Sequence, residues 1–424
     1  MENVPKGGAV IFVGNHPNSL IDPIVVVASS PRKVHFAAKD VLFESRTLRV
    51  FLNALGAIPI RRRVDHPDAE LDNLAAFEAL HRVLEGEGAI GIFPEGVSHD
   101  ESQLRGIKTG AARIALGLCS KRPDLKLIIV PIGLNYTHPQ QFRSQVLIQF
   151  GPGLAVDSAW HERYQKDEVG SVRALTDAIE ERLKAITINA PDWETLHLLD
   201  GVRRLYQPPK IPLENRIELA RRFNRAYPDH QEDPEVRQLL QRVKMYQERL
   251  DDIDLSDEEL RREIKPAALL GAFAKRCLFF CLWLPLAAPG FVIHAPMGLA
   301  AGWGGNRFTP RKDVVATTKL VMGAGIVLLF CLGILLLAFH YGGIVGGLIA
   351  LALFPLSGYA TIRVLERTAS LRRLLRRVKT AFVLGKEVWA LRQIRADLQR
   401  DIIDAVQRKM PDDLVPLYTP DTER

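Results

Sequence analysis

Two short motifs near the start of the chain carry side chains suited to proton transfer. His16 follows Asn15 and is itself followed by Asp22, while Glu95 lies much further along in the segment Phe93-Pro94-Glu95-Gly96. A neutral imidazole that holds a carboxylate at one ring nitrogen can take a proton through the other. The sequence therefore predicts that His16 is a general base and that Asp22 is its partner.

The spacing between His16 and Asp22 restricts how the two side chains can meet. They are six positions apart, and at about 100° per residue they would point roughly 240° apart on a regular helix. Pro17, Asn18 and Ser19 lie between them and favour turns. We therefore expect an irregular turn that brings the imidazole to the carboxylate.

No residue of a nucleophile motif accompanies these groups. The chain has no Gly-x-Ser-x-Gly segment, and none of its four cysteines is near the motifs in sequence, so direct attack by a bound hydroxyl is favoured over a covalent intermediate. His99 and Asp100 follow the second motif, but their spacing to His16 and Asp22 matches no compact ligand pattern. Neither a metal nor another cofactor is expected.

Short apolar runs alternate with helical patterns through the first part of the chain, which predicts an α/β domain with a mainly parallel sheet covered by helices. The run before His16 is continuously apolar, as in a strand buried on both faces, and His16 would lie at its carboxyl end, where open sheets bind ligands. The predicted strands are 8–13, 34–38, 56–61, 88–93, 127–135 and 145–150.

Four blocks of the sequence resemble the glycerolipid acyltransferases, which acylate glycerol-3-phosphate, dihydroxyacetone phosphate and lysophosphatidic acid. The resemblance covers roughly residues 8–155, and the blocks are 15–22, 56–62, 93–96 with Ser98, and 130–133. Five residues separate His16 from Asp22, whereas most of the superfamily has four. This motif is similar to that of the bacterial relatives of the fungal glycerol-3-phosphate/dihydroxyacetone phosphate acyltransferases.

The resemblance implies a role for each matching residue. His16 would deprotonate the acceptor hydroxyl as it attacks an acyl thioester, and Asp22 would hold the imidazole in the productive tautomer. Arg62 is the best match to the family's phosphate-binding arginine and Arg61 the next, and a guanidinium suits a phosphate because it offers paired, charge-assisted hydrogen bonds. The alternative is a solvated charge run at a strand end.

The other matching positions are substrate-binding candidates. Glu95 would orient the acceptor or support the arginine, although a carboxylate at a helix start is the alternative, and Gly96 would allow close approach of the backbone. Lys39 and Lys108 also match the family pattern. Residues 97–100 depart from it, because many relatives have a threonine and an arginine there.

The segment 320–362 has no Asp, Glu, Lys or Arg. About 20 residues cross a bilayer, so this length predicts a transmembrane hairpin of 320–339 and 344–362. Basic residues flank the hairpin, which places both ends in the cytoplasm by the positive-inside rule. A further apolar segment, 277–303, contains three prolines, and we expect a broken or re-entrant segment rather than one straight helix.

These patterns divide the chain into five parts and predict a membrane protein. The parts are the α/β domain at 1–160, a helical middle region at 161–270, the proline-broken segment at 271–306, the hairpin at 320–362 and a basic amphipathic tail at 363–424. The formal net charge of +7 suits an anionic membrane surface. Nucleic acid is not an expected partner, because the basic residues adjoin apolar spans rather than an aromatic-bearing face.

The expected protein is a multi-pass enzyme of the cytoplasmic membrane whose catalytic domain faces the cytoplasm. It would move a fatty acyl group from acyl-CoA or acyl-carrier protein to glycerol-3-phosphate or dihydroxyacetone phosphate in phospholipid biosynthesis. A lysophosphatidate acceptor is the alternative within the class, and a non-catalytic lipid-binding membrane protein is the alternative outside it. His16 comes earlier in the chain than in most relatives, so we expect that the natural protein begins further upstream.

Overall fold

The chain divides into two compact units in a computed structural model that describes residues 2–61, 65, 73–141, 144–208, 210–261, 266–309, 311–383 and 385–410. The N-terminal unit comprises Met1–Leu196, Leu213–Arg225 and Lys312–Ala316. The C-terminal unit comprises His197–Pro212, Ala226–Arg311 and Thr317–Arg424. Both predicted motifs lie in the N-terminal unit.

A seven-stranded sheet forms the centre of the N-terminal unit. Its strands are β1 (Ala9–Gly14), β2 (Val34–Lys39), β3 (Ile58–Ile60), β4 (Ala89–Ile92), β5 (Leu127–Tyr136), β6 (Val146–Phe150) and β7 (Leu154–Val156). The order is β3-β2-β4-β1-β5-β6, with β7 paired to β5. The strands β1 to β5 pair in parallel, and β6 and β7 run antiparallel to β5. This confirms the predicted mainly parallel sheet, although β7 was not predicted.

The central strand β1 is buried along its whole length. Ile11 and Val13 point into one apolar cluster, and Val10 and Phe12 point into another on the opposite face. Successive side chains of a strand point to opposite faces, so a continuously apolar strand requires both faces to be covered. Burial therefore fixes β1 rigidly, and with it the start of the loop that carries His16.

Helices cover both faces of the sheet. They are α1 (Ile21–Ser29), α2 (Arg46–Ala54), α3 (Leu74–Glu85), α4 (Gly110–Lys121), α5 (Ser158–Lys166) and α6 (Glu168–Ile186), with a 3₁₀ turn at Asp40–Phe43. Side chains of α3, α4 and α6 build the cluster around Ile11, and Val26 of α1 joins the other. The sequence predicts that α3 ends at Gly86 or Gly88, and Gly86 is the residue that caps its end. The sequence predicts its start at 64–68, which lies almost wholly outside the described residues.

One predicted helix was wrong at its start. A helix was expected from Ser102, but α4 begins only at Gly110. In the intervening loop the N–H of Arg105 donates to the Glu95 carboxylate and the N–H of Leu104 to the side chain of Asn189. These bonds take the backbone donors that a helix would use internally.

Further helices follow the sheet. They are α7 (Trp193–Tyr206), α8 (Leu213–His230), α9 (Pro234–Asp252), α10 (Asp257–Arg261) and α13 (Gly385–Lys409). The N–H and side chain of Ser256 bond the Glu259 carboxylate, and the Glu259 N–H donates to Ser256 Oγ at 3.3 Å. The segment Leu255-Ser256-Asp257-Glu258-Glu259 predicts a capped helix start, and this reciprocal cap confirms it. Arg242 of α9 pairs with Asp401 of α13 at 2.6 Å.

Two helices of the C-terminal unit are long and apolar. α11 (Pro266–Arg307) is one continuous helix, so the predicted break at its three prolines was wrong. Its segment around Trp283 and Gly290 contacts Tyr359 and Ser357 of the next long helix, α12 (Val315–Val383). Such packing between apolar helices can support a helix through proline positions. α12 is interrupted at Gly343, whose φ of 59° and ψ of −154° confirm the predicted turn.

The lengths and compositions of α11 and α12 suit a bilayer. Ala274–Arg307 and Lys312–Thr368 are each long and apolar enough to cross a membrane, and their most apolar windows are 11% and 0% buried. Apolar helices left this exposed are unlike the core helices of a water-soluble domain. They suggest membrane association.

Candidate active site

His16 and Asp22 contact each other directly. His16 lies just beyond β1, Asp22 lies in the first turn of α1, and the distance from His16 Nδ1 to Asp22 Oδ2 is 2.8 Å. Between them the N–H of Asn18 donates to the same Oδ2 at 2.7 Å, and Ser19 has a φ of 40°. The predicted irregular turn is confirmed, and the carboxylate itself holds the turn closed.

Asp22 is fully buried and receives three hydrogen bonds. Besides the bonds from His16 and Asn18, the hydroxyl of Tyr136 donates to Oδ1 at 2.7 Å. Burial raises the pKa of Asp22, and the three bonds oppose that shift because each stabilises the charged form. Burial and the neighbouring Asp22 raise the pKa of Tyr136, so its hydroxyl remains a donor.

The contact with Asp22 decides which nitrogen of His16 is available. An ionised carboxylate has no proton to give, so Nδ1 carries the proton and Nε2 is left with a lone pair. One face of the ring stacks on Phe93, with centroids 4.1 Å apart and planes 5° from parallel, and Phe93 in turn stacks on Phe36. The side chain is 17% exposed. The ring is thus fixed in orientation but open to a ligand.

Neighbouring loops also hold the main chain around His16. Asn15 exchanges two hydrogen bonds with Leu134 of β5, one through each atom of its amide. The N–H of His16 donates to Glu95 Oε1 at 2.7 Å, and its carbonyl accepts from the N–H of His99 at 3.1 Å. Loops that follow β1, β4 and β5 are therefore tied together at one point.

Glu95 is buried and its carboxylate is occupied by protein groups. Oε1 accepts from His16, and Oε2 accepts from the N–H of Arg105 at 3.0 Å and is hydrogen-bonded to Nε2 of His99. The sequence had offered acceptor orientation or support of Arg62 as its role. In the described residues Glu95 contacts the main chain of His16 and Arg105 and the ring of His99. Arg62 lies outside those residues, so both roles stay predictions.

Gly96 needs to be glycine at its position. Its φ is 76°, and a Cβ there would lie 2.5 Å from Lys108 Nζ. The N–H of Lys108 donates to the carbonyl of Pro94 at 2.8 Å, which keeps the lysine over this turn. The group that approaches Gly96 in the structure is therefore Lys108.

The remaining basic candidates lie along the same edge of the sheet. Lys39 ends β2 opposite Ile60, and Arg61 directly follows β3, where its main chain exchanges hydrogen bonds with the Asn73 side chain. The Arg61 side chain is 55% exposed, with Nε 3.7 Å from Asp40. Strands are about 4.8 Å apart, so β3 is roughly 14 Å from β1. A substrate or a long side chain must bridge that distance.

A small cleft opens beside the His16 ring, with a volume of about 50 Å³. It is lined by Asn15, His16, Pro17, Glu95, His99, Glu101, Gln103, Leu104, Thr187 and Ile188. His16 and Glu95 are thus brought together, whereas Lys39, Arg61, Gly96 and Lys108 do not line it. The room suits a small polar group, such as a carbon that bears a hydroxyl, next to the free nitrogen of His16.

Sequence reasoning missed several residues that position the site. Tyr136 and Phe93 were not proposed, Asn18 was named only as a turn-forming residue, and His99 was considered only as a metal ligand. Tyr136 ends the strand that pairs with β1, so its proximity to Asp22 could have been inferred only from the strand order. Phe93 belongs to the second motif and directly follows β4, which was a usable signal.

Comparison with known proteins shows which families two parts of the chain resemble. Residues 1–135 match the family model described as Acyltransferase, and residues 198–307 match that of the glycerol-3-phosphate acyltransferase 2 C-terminal domain. The chain therefore contains an acyltransferase-family domain in its N-terminal part. The resemblance seen in its four motifs is thereby confirmed.

Its relatives include fungal and bacterial acyltransferases. Glycerol-3-phosphate O-acyltransferase 1 of Saccharomyces cerevisiae is 31% identical over 278 residues, covering 61% of this chain and 36% of the yeast protein. An uncharacterized acyltransferase of Schizosaccharomyces pombe is 28% identical, covering 83% and 56%. The 1-acyl-sn-glycerol-3-phosphate acyltransferase of Borreliella burgdorferi is 28% identical, covering 44% and 71%. The matched region therefore spans about a third to just over half of the two fungal relatives.

The bond from Tyr136 to Asp22 predicts an effect of Tyr136 on the stability of the protein. Replacing Tyr136 by Phe removes one donor from a fully buried carboxylate, which should lower the free energy of unfolding by about 1–3 kcal/mol. Denaturant unfolding of the purified protein measures the change. Tyr164→Phe is the matched control, because its hydroxyl bonds Glu168 at an exposed position and its loss should cost about 0.5 kcal/mol or less. Equal effects of the two variants would contradict the role assigned to Tyr136.

Proposed function

We propose that the chain transfers a fatty acyl group from a thioester to a hydroxyl of a glycerol phosphate. The observation that carries the proposal is the His16–Asp22 pair, in which Nδ1 is held by a buried carboxylate and His16 lines a cleft. Such a pair can take a proton from a hydroxyl but supplies no nucleophile of its own. The similarity to glycerol-3-phosphate O-acyltransferases agrees with this chemistry.

The reaction can be written with the groups of this site alone. The acceptor hydroxyl binds in the cleft and gives its proton to Nε2 of His16 as its oxygen attacks the thioester carbonyl. Asp22 stabilises the imidazolium that forms. The carbon–sulfur bond then breaks, and His16 returns the proton to the departing thiolate. The products are an ester and a thiol, and His16 is neutral again.

The proposed acceptor is glycerol-3-phosphate or dihydroxyacetone phosphate, and the proposed donor is acyl-CoA or acyl-carrier protein. Among the described residues the cleft is lined by Glu95 and Glu101 and by no lysine or arginine, so a phosphate would be repelled from it. Lys39 and Arg61 lie further along the same edge, and we assign the phosphate to that side, together with Arg62. The acceptor would then reach from these cations to His16 with its hydroxyl in the cleft.

A lysophosphatidate acceptor is the second candidate. The observation in its favour is the similarity to the 1-acyl-sn-glycerol-3-phosphate acyltransferase of Borreliella burgdorferi, over 71% of that protein. Both acceptors present a free hydroxyl and a phosphate to the same chemistry. An assay with each acceptor and a labelled acyl thioester separates them.

The first expected outcome concerns His16. Purified His16→Ala should lose about 10²–10⁴-fold in the rate of acyl transfer to glycerol-3-phosphate, because the hydroxyl then has no base. His230→Ala is the matched control, since His230 lies at the end of α8 outside the site. Turnover of His16→Ala at the wild-type rate would remove the pair from the mechanism. A wild-type protein that binds the lipid but turns over neither acceptor would instead indicate a non-catalytic lipid-binding protein.

A second outcome concerns the phosphate. Arg61→Ala and Lys39→Ala should raise KM for glycerol-3-phosphate while leaving KM for the acyl donor unchanged, because these cations would touch only the acceptor. Arg61→Lys should recover only part of the loss, since a lysine cannot form paired hydrogen bonds. Arg82→Ala, an exposed arginine of α3, is the control. An equal rise in KM for glycerol-3-phosphate and for the acyl donor would mean that Arg61 and Lys39 have a structural role.

We further propose that the chain is a multi-pass protein of the cytoplasmic membrane, with the catalytic residues on the cytoplasmic side. The charge-free segment 320–362 carries basic residues on both sides, which favours the cytoplasm for both of its ends. The turn at Gly343 would then face the opposite side.

Cysteine labelling of intact cells tests this orientation. In a variant without the four native cysteines, Gly342→Cys should react with an impermeant thiol reagent. Asp404→Cys, which is exposed on α13, should react only after the membrane is permeabilised. Protection of both positions in intact cells would contradict a hairpin that crosses the membrane.

A further inference from the structure

His99 contacts the segment of the proposed base at two points. Its N–H donates to the His16 carbonyl at 3.1 Å, and its ring bonds the Glu95 carboxylate, which in turn accepts the His16 N–H at 2.7 Å. His16, Glu95 and His99 therefore form a closed ring of hydrogen bonds. Both main-chain polar groups of His16 are held within it.

Glu95 depends on His99 for one of its donors. Its side chain is fully buried, and a buried carboxylate is costly unless donors surround it. Two of its partners are backbone N–H groups, those of His16 and Arg105. The third is the His99 ring, which alone among them can be removed by substitution without changing the backbone.

The tautomer of His99 follows from its second ring nitrogen. The N–H of Glu101 donates to Nδ1 at 3.2 Å, so Nδ1 is an acceptor and carries no proton. Nε2 must then carry it and donate to Glu95. A backbone group thus fixes the direction of the bond.

Both ring nitrogens of His99 are therefore occupied by protein groups. The residue lines the cleft, but it has no nitrogen left to bind a substrate or to exchange a proton with one. This separates His99 from His16, which also lines the cleft but whose Nε2 has no hydrogen-bond partner in the described residues. The chemistry of the two histidines cannot be the same.

We propose that His99 is a positioning residue that fixes the orientation of His16 through Glu95. The inference rests on the proposed function and adds a residue that neither the motif resemblance nor the comparisons assign a role. Without the imidazole, Glu95 lacks a donor. The loop that carries Glu95 and His99, which binds the main chain of His16, then loses a hydrogen bond. The base then moves relative to the acceptor hydroxyl, and a displacement near 1 Å can cost about 10²-fold in rate.

Three variants of His99 test the mechanism. His99→Phe, which keeps the ring volume but neither nitrogen, should lower kcat about 10²-fold with KM for glycerol-3-phosphate unchanged. His99→Gln, whose amide can still donate to Glu95, should keep most of kcat. His161→Phe on α5 is the control and should have no effect. A rise in KM without loss of kcat would overturn the proposal, because it would make His99 a substrate contact.

A double-mutant cycle tests the route through Glu95. If His99 acts on His16 only by way of this carboxylate, His99→Phe should have almost no further effect in a Glu95→Gln background. Multiplicative losses in kcat would mean that the two residues act independently, and they would contradict the proposal.

A readout without turnover separates this proposal from the proposed function. Diethyl pyrocarbonate modifies accessible unprotonated imidazole nitrogens, and mass spectrometry of peptides reports the rate at His16. That rate should change in His99→Phe and stay at the wild-type value in His99→Gln. An unchanged rate in His99→Phe would overturn the positioning role even if the wild-type protein transferred no acyl group. If the wild-type protein transferred no acyl group but the modification rate at His16 still changed in His99→Phe, only the proposed function would be refuted.

Discussion

The site is organised by one fully buried carboxylate. Asp22 has no contact with solvent, so its charge must be stabilised by donors that the protein supplies. These come from three places in the chain: the His16 ring, the Asn18 main chain and the Tyr136 hydroxyl. Because each donor must reach the same two oxygens, the turn after β1, the start of α1 and the end of β5 are held in register. The orientation of the His16 ring is a consequence of this requirement.

Glu95 is a second carboxylate surrounded by donors, and it follows β4, the strand next to β1. It is buried, and it binds the main chain of His16 while Asp22 binds the side chain. The two carboxylates have different tasks, since one selects the tautomer of the ring and the other fixes the backbone that carries it. Both depend on a parallel sheet whose strands end at one edge, because only there do loops after β1, β4 and β5 meet.

The sequence predicted the parts of this site that are local. The contact between His16 and Asp22 spans six positions with turn-forming residues between them, so residue types indicated it. The resemblance indicated that backbone could be approached closely at Gly96, and the group found beside it is Lys108. Tyr136 lies 114 positions from Asp22, and nothing nearby in sequence marks it, because its role follows from the pairing of β1 with β5. The late start of α4 was missed for the same reason, since the Glu95 carboxylate takes an N–H from the loop before it. The helix through Pro285 reflects packing against α12, which a proline count does not include. The strands β1, β4 and β5 were predictable because they are apolar runs that the fold buries almost completely.

The tautomer of His16 is the most direct test of how this site works. Nitrogen NMR of the full chain, labelled with ¹⁵N in its histidines and held in detergent at alkaline pH, distinguishes a protonated from an unprotonated ring nitrogen. The His16 signals are those missing from His16→Gln. The structure predicts a proton on Nδ1 and a bare Nε2. A spectrum in which Nε2 of His16 carries the proton would contradict the assignment of His16 as the base.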